Sequence, residues 1–406
     1  MNYNWQTKKL GEVCIIKPPK NEAHKKLESD DLVSFLPMED LGILKKNLNL
    51  TKVRRLEEVS GSYTYFADGD VLLAKITPCF ENGKLGIANN LRNGIGFGSS
   101  EYIVFRPNDD LISEYLFYFL SSERFREEGT KNMGGAVGHK RVSKEFIENY
   151  GIPIPPLPEQ KRLVALLDEL FEKLEKAKEN AQKNLANAKE LFEAYLQNAF
   201  ANSKHEKKSL GTVCKIMGGG TPSKAGSNFA KYYNGNISWA TVRDMRNDVI
   251  IDTEHKITEE AVKRSSTNII PKNNVVIASR VGLGKICFLK NDTAINQDLR
   301  GIIPLNSNNL SVNYLFWWFK SIAKIIIQNG SGATVHGVKL PFIKNLEIPY
   351  PPFPEQQAIV ARLDALSAET KKLESIYRQK LTALEELKKS ILQKAFRGEL
   401  AQKKEL

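Results

Sequence analysis

Ile152-Pro153-Ile154-Pro155-Pro156-Leu157-Pro158-Glu159-Gln160 returns, 196 residues further on, as Ile348-Pro349-Tyr350-Pro351-Pro352-Phe353-Pro354-Glu355-Gln356. Each copy reads as the start of a helix. Proline is tolerated in a first turn, where its missing N–H has no partner to lose, and Glu-Gln follows it. Behind the first copy Leu163, Leu167, Leu170, Leu174, Ala177 and Ala181 recur in alternating steps of four and three. After one irregular step Leu185, Ala188, Phe192, Tyr195 and Ala199 continue the run. Behind the second copy Leu363, Leu366, Thr370, Leu373, Tyr377, Leu381, Leu384, Leu387 and Ile391 do much the same. No proline or glycine interrupts either run. The spacing predicts two helices with a coiled-coil seam. At ~1.5 Å per residue, about 40 residues span roughly 60 Å. Two such helices in one chain pair most simply with each other, antiparallel, which makes the halves two-fold related.

The repetition extends outward from this stretch. Leu10-Gly11 with Val13-Cys14 recurs as Leu210-Gly211 with Val213-Cys214. Glu190-Leu191, Leu196-Gln197 and Ala199-Phe200 recur as Glu386-Leu387, Leu392-Gln393 and Ala395-Phe396. Four segments follow: a globular block over 1–151, a Pro-rich lead-in plus long spacer helix over 152–203, a second block over 204–347, and a second lead-in plus helix over 348–406. Val71-Leu72-Leu73-Ala74, Tyr102-Ile103-Val104-Phe105 and Val275-Val276-Ile277-Ala278 are short apolar runs bounded by Gly, Asn and Asp, as strands are. Helical patterns run over Ile112–Arg126 and Val312–Gln328. The blocks are therefore expected to be α+β, each with a twisted, mostly antiparallel sheet.

The 406 residues carry a net charge of +12, and 41% of them are hydrophobic, which suits globular cores. The charge is uneven. Residues 1–158 hold 21 basic and 21 acidic side chains, whereas residues 204–354 hold 20 basic against 10 acidic. A basic excess points to nucleic acid without proving it. Cys14, Cys79, Cys214 and Cys287 are scattered with no CxxC pair, so no zinc site and no disulfide framework is expected. A reduced, cytoplasmic setting fits, and no apolar signal segment opens the chain. Val312–Ile327 is too short and too charged to span a membrane.

Catalytic patterns are missing from the sequence. There is no GxxxxGK[ST] and no GxSxG, and the histidines at 24, 139, 205, 255 and 336 lack metal-ligand spacing. Gly94-Ile95-Gly96-Phe97-Gly98 lacks the helix and acid of a dinucleotide site and reads as a turn. Tyr350-Pro351-Pro352-Phe353 puts Tyr where an adenine methyltransferase loop needs Asn or Asp. No catalytic and no metal-binding residue is assigned.

Nucleic-acid contacts are better supplied. In the first block the candidates are Lys45, Lys46, Arg54 and Arg55, and His139, Lys140 and Arg141 behind a Gly-rich loop. The repeat partner of that loop offers Ser331, Thr334, His336 and Lys339. The second block adds Thr221, Ser223, Lys224, Trp239, Arg243, Arg246 and Arg280. Asn296-Gln297 is a candidate base-edge pair, because an amide bonds adenine bidentately. Glycines let the backbone approach a phosphate, and the hydroxyls and cations donate to it.

The two Ile-Pro-x-Pro-Pro-x-Pro-Glu-Gln stretches with their helices, the Leu-Gly-x-Val-Cys starts and the closing Leu392-Gln393-Lys394-Ala395-Phe396-Arg397-Gly398-Glu399-Leu400 resemble the specificity subunit of type I restriction-modification systems over the whole chain. The resemblance implies a non-catalytic chain. Each block would be a target-recognition domain reading one half of a split sequence in double-stranded DNA. The antiparallel helices would set the spacing and dock two methyltransferase subunits, which restriction/translocase subunits would join. S-adenosylmethionine, ATP and Mg would belong only to those partners, and none to this chain. The first copy ends Asn198-Ala199-Phe200-Ala201-Asn202-Ser203, without the Arg-Gly-Glu-Leu of the second, which implies a linker into the next block. The rival readings are a stand-alone methyltransferase or nuclease, and a coiled-coil scaffold without a DNA role.

Overall fold

The computed structural model describes residues 5–136, 138–225, 228–332 and 336–400, with Asn228 and Phe229 described by their backbone alone. The chain divides into two compact units, residues 1–181 with 379–406, and residues 182–378. Neither unit is one sequence repeat. Each combines a globular block, the front of the helix that follows it and the tail of the other repeat's helix.

In the first unit, Gln6–Lys9 pairs antiparallel with Gly151–Ile154, so the two ends of the block meet. The Leu-Gly-x-Val start forms the short helix Leu10–Val13. A Cβ on Gly11 would sit 3.2 Å from the Glu148 carbonyl oxygen, so the close approach to that segment favours glycine. One four-stranded sheet has the order Cys14–Ile16, Tyr102–Pro107, Val71–Ala74, Leu85–Ile87. The other runs Val53–Arg55, Leu32–Leu36, Ile95–Gly98, Thr64–Ala67, with the middle pair parallel. The aromatic helix Ser113–Leu120 buries Tyr115, Leu116 and Phe119 beside Leu10, Phe105, Leu163 and Leu167. Leu392 and Ala395, from the far end of the second long helix, complete this core. The Phe396 ring meets Tyr115 and Phe119 edge-on at 5.2 and 5.3 Å.

The second unit repeats the arrangement with the helices exchanged. Lys207–Ser209 pairs with Glu347–Pro349. A five-stranded sheet has the order Cys214–Gly218, Leu299–Pro304, Val275–Ala278, Ile286–Leu289, Val249–Ile250. A four-stranded sheet runs His255–Ile257, Tyr233–Ala240, Thr293–Ile295, Asn268–Ile270. The helix Val312–Ser321 buries Tyr314–Phe319 against Leu363 of the second long helix and Leu196 and Phe200 of the first.

The long helices are Leu157–Ala201, 45 residues, and Phe353–Phe396, 44 residues. They pack together antiparallel. In the first unit Lys178 meets Glu385 while Lys388 meets Glu175 at 3.3 Å, one number rising as the other falls. In the second unit Lys189 meets Glu374 at 3.7 Å.

The Glu-Gln that opens each helix has a structural use for its amide. Gln160 is fully buried. Its Nε2 donates to the carbonyls of Asp110 and Pro155, and its Oε1 accepts from the Ile112 N–H at 3.0 Å. Gln356 is equally buried and makes the same three bonds to Asn309, Pro351 and Ser311. One side chain thus ties the lead-in, the helix and the loop before the aromatic helix. Asp168 accepts from the Tyr118 hydroxyl and from Lys46, and its counterpart Asp364 accepts from the Trp317 indole at 2.8 Å.

The α+β class and the antiparallel helix pair match the expectation. Several details differ. Each block carries two principal sheets rather than one; their pairing is mostly antiparallel, as expected, with one parallel strand pair in the first block and two in the second. The pattern over Ile112–Arg126 breaks into two helices because the Ser122 hydroxyl accepts from Phe125 N–H and caps a second start. Gly94, at φ +69°, ends the turn Arg92–Gly94, but Ile95–Gly98 is a strand rather than part of that turn. A Cβ on Gly96 would stand 2.2 Å from the Phe66 ring, so the glycine serves close packing within a strand. Along the first long helix Tyr195 is 39% exposed and Leu196 is buried, so the seam has shifted by one position there.

Candidate nucleic-acid interface

In the second block four segments meet at one place. The loop after Cys214–Gly218 brings Thr221, whose hydroxyl bonds the Gln297 side-chain oxygen. The Gln297 backbone carbonyl accepts from Arg300 Nη1 at 3.0 Å. Asp298 anchors the turn that follows Val275–Ala278, because its carbonyl accepts from the N–H groups of Ser279 and Arg280 at 2.8 and 3.2 Å. Its carboxylate lies 3.8 Å from Arg280 Nε. Arg280 forms a β-bridge with Gly337, which also pairs with Ser331. Ser331 and Gly337 are thereby held beside Arg280, with Ser331, His336 and Lys339 exposed. Burial and the like charge of Arg280 lower the pKa of Arg300, the mark of two guanidiniums close together.

The other second-block candidates separate into two groups. Arg243 is exposed in the single turn Val242–Asp244 and Arg246 just after it, and Lys285 reaches the Val242 carbonyl at 3.4 Å. Lys224 is exposed and lies 5.3 Å from the Tyr233 ring, and Ser223 accepts from the Ala225 N–H. Trp239 is a core residue, 3% exposed, and its indole N–H donates to the Gly220 carbonyl. It offers no face to a base. Asn296 is 6% exposed, with its amide tied to Asp298 on both sides, so the adenine-reading pair is reduced to Gln297. Thr334 lies outside the described residues.

The first block places its loop at the matching point with different side chains. Met133–Gly134 and Arg141–Val142 form a short hairpin, and Ile76 bridges Arg141 as Arg280 bridges Gly337. Glu101 stands where Asp298 stands, its carbonyl accepting from the Lys75 N–H at 2.9 Å. Its carboxylate, however, takes two hydrogen bonds from Arg141 at 2.8 Å each. That fork is the strong geometry for such a pair, and it holds the Glu101 carboxyl below the usual carboxylate range. Arg141 Nη1 also reaches the His139 carbonyl. Arg141 therefore clamps its own loop, leaving His139 and Lys140 exposed. Lys46 is a fastener too, bound to Asp168 on the long helix. Arg54 lies 5.6 Å from the Phe35 ring and Arg55 is 4.0 Å from Glu57, both on the exposed strand Val53–Arg55. Lys45 is exposed. Among the described residues no hydrogen bond or ion pair joins Lys45, Arg54 or Arg55 to the hairpin.

Sequence reasoning missed Lys75, Lys285 and Arg300. Lys75 had a usable signal, since it follows Val71–Ala74 as Ser279-Arg280 follows Val275–Ala278. Arg300 had none, because it lies inside a strand. The second block thus gathers glycine loops, exposed cations, hydroxyls and the exposed Gln297 amide, whose oxygen takes the Thr221 hydroxyl. No helix among the described residues is long and apolar enough to cross a membrane.

Known proteins place these features. The model of the type I restriction modification DNA specificity domain matches twice, over residues 2–183 and 202–383. The chain is 34% identical over 193 residues to the type I restriction enzyme EcoAI specificity subunit of Escherichia coli, covering 47% of this chain and 32% of that protein. It is 31% identical over 271 residues to the EcoR124I/EcoR124II specificity subunit of the same organism, covering 62% of this chain and 63% of that one. The aligned part thus spans between a third and two thirds of these relatives. In fold it resembles a chain from a structure of type I R-M complex assembly, with a TM-score of 0.81 at 20% identity over 98% of this chain and 100% of that chain. It also resembles the HsdS subunit of Thermoanaerobacter tengcongensis, with a TM-score of 0.69 at 20% identity over 98% of this chain and 97% of that one. The chain belongs to the type I restriction modification DNA specificity domain family, and carries two copies of that domain.

Proposed function

We propose that this chain is the non-catalytic, sequence-specific DNA-binding subunit of a type I restriction-modification complex. Each block reads one half of a bipartite target in double-stranded DNA, through the loops around Arg280 and Gly337 in one and Lys75 and Arg141 in the other. The observation that carries this reading is the duplication of a family domain with a basic glycine loop at the same point in each copy. The loops have diverged while the frame has not, as two readers of different half-sites require. The stand-alone enzyme reading finds no support in a family of specificity domains.

The helix pair acts as the ruler and as the dock for two methyltransferase subunits, which supply S-adenosylmethionine chemistry. Restriction/translocase subunits bring ATP and Mg, and the complex works in the cytoplasm. Half-sites on one face of B-DNA lie about 34 Å apart, within the roughly 65 Å that a helix of this length spans. The test is to insert seven residues into each long helix, reconstitute with the methyltransferase subunit, and select bound duplexes from a random pool. Both half-sites should persist with a longer gap between them. An unchanged gap would sink the ruler, and the absence of any bipartite sequence from the unaltered protein would sink the whole reading.

A further inference from the structure

Val281 is misplaced by every local rule. Its φ is +31°, a conformation costly for a β-branched residue, and the residue is 51% exposed. The surrounding fold over-determines this geometry. Before it, the Ser279 and Arg280 N–H groups are bound to Asp298, and the Val338 N–H is bound to the Ser279 carbonyl. After it, Gly282 at φ +75° packs where a Cβ would come 2.7 Å from Val242, and Leu283 packs on the block's core. The turn 280–285 therefore holds an exposed isopropyl group together with two exposed cations, Arg280 and Lys285, the stem of the latter lying 3.5 Å from where a Cβ on Gly282 would stand. Such a group adds nothing to the core, and its backbone is strained. Strain maintained by the surroundings is characteristic of ligand clamps.

The chemistry that fits an exposed apolar group flanked by cations on duplex DNA is the C5-methyl of thymine in the major groove, with phosphates beside it. We propose that Val281 is a specificity-determining residue of the second half-site, packing on a thymine methyl while Arg280 and Lys285 neutralise flanking phosphates. This inference rests on the DNA-recognition reading above. It makes the two neighbours separable, since loss of a phosphate contact weakens all sequences alike and loss of a base contact weakens one position only.

The experiment uses the full chain with its methyltransferase subunit, selecting duplexes from a random pool with the wild type and with Val281→Gly. Glycine tolerates the positive φ, so Val281→Gly should melt no lower than the wild type. The wild type should enrich a bipartite sequence. Val281→Gly should keep the first half-site and lose its preference for thymine at one position of the second by roughly fourfold, the worth of about one buried methyl. Deoxyuridine in place of that thymine should cost the wild type the same factor and Val281→Gly nothing. The proposal falls if Val281→Gly selects an unchanged second half-site, or if deoxyuridine costs both proteins equally. A wild type that enriches no bipartite sequence would instead overturn the parent reading.

Discussion

Gln160 and Gln356 show how much one buried amide can hold. Each makes three bonds to backbone groups, two in the loop before the aromatic helix and one in the Pro-rich lead-in. Replacement by alanine leaves buried carbonyls and an N–H without partners, at about 1–3 kcal/mol each. Gln160→Ala should therefore lower stability by at least about 2 kcal/mol in urea titration, and Gln356→Ala by a similar amount. Asp248 supplies a pH test. Burial alone would raise its pKa, but the hydrogen bonds and charges of Lys320 at 2.7 Å and Lys371 at 3.0 Å outweigh that and depress it. A carboxyl with a folded pKa below its unfolded one stabilises above the unfolded value and loses that stabilisation as pH falls through the folded one. The stability gap between wild type and Asp248→Asn should hold from about pH 8 to about pH 6 and close below about pH 4. A gap that widened in acid would contradict the assignment. Trp239 and Asn296 illustrate what residue type conceals. Their chemistry suits a base, and only packing shows it is used internally.

At the scale of elements, the helices exchange their ends. Phe200 closes the first repeat in sequence but packs 5.2 Å from Tyr314 in the second block's core. Phe396 closes the second repeat but packs on Tyr115 and Phe119 in the first. Phe200→Ala should cost about 3–5 kcal/mol, the usual range for a buried ring. Its effect on amide hydrogen exchange should fall on residues 204–347, and that of Phe396→Ala on residues 5–151. Loss of protection in the preceding block instead would refute the exchange. Ion pairs such as Lys178–Glu385 are half-exposed and set register more than stability. The helices themselves were legible in the sequence, since uninterrupted three/four spacing leaves little else for the chain to do. Their exact faces were not: Leu366, Leu373 and Leu387 sit on the expected seam, yet each is 37–47% exposed. Spacing specifies a stripe, whereas the partner covers only part of it.

For the whole molecule, the charge difference between the blocks becomes a difference in how they grip. Arg243, Arg246 and Arg280 are exposed; Arg246 Nε donates to the Arg243 carbonyl at 3.2 Å, and Arg280 lies 3.8 Å from the Asp298 carboxylate. Arg54 and Arg55 lean on Phe35 and Glu57. Neutralising the first three should flatten the dependence of DNA affinity on salt by up to about three units of log–log slope, and neutralising Lys45, Arg54 and Arg55 by clearly less. An equal or opposite result would show that block charge does not report phosphate contact. The sequence alone determined the duplication, the two long helices, the α+β blocks and the family, because these rest on periodicity, proline placement and repeated words that are visible along one dimension. Only the tertiary structure decided which helix end completes which core, that Arg141 and Lys46 are fasteners while Arg280 is not, and that Val281 stands strained in solvent. Those outcomes depend on which groups distant in the chain reach hydrogen-bond distance and which are removed from water, and no spacing along the chain encodes that.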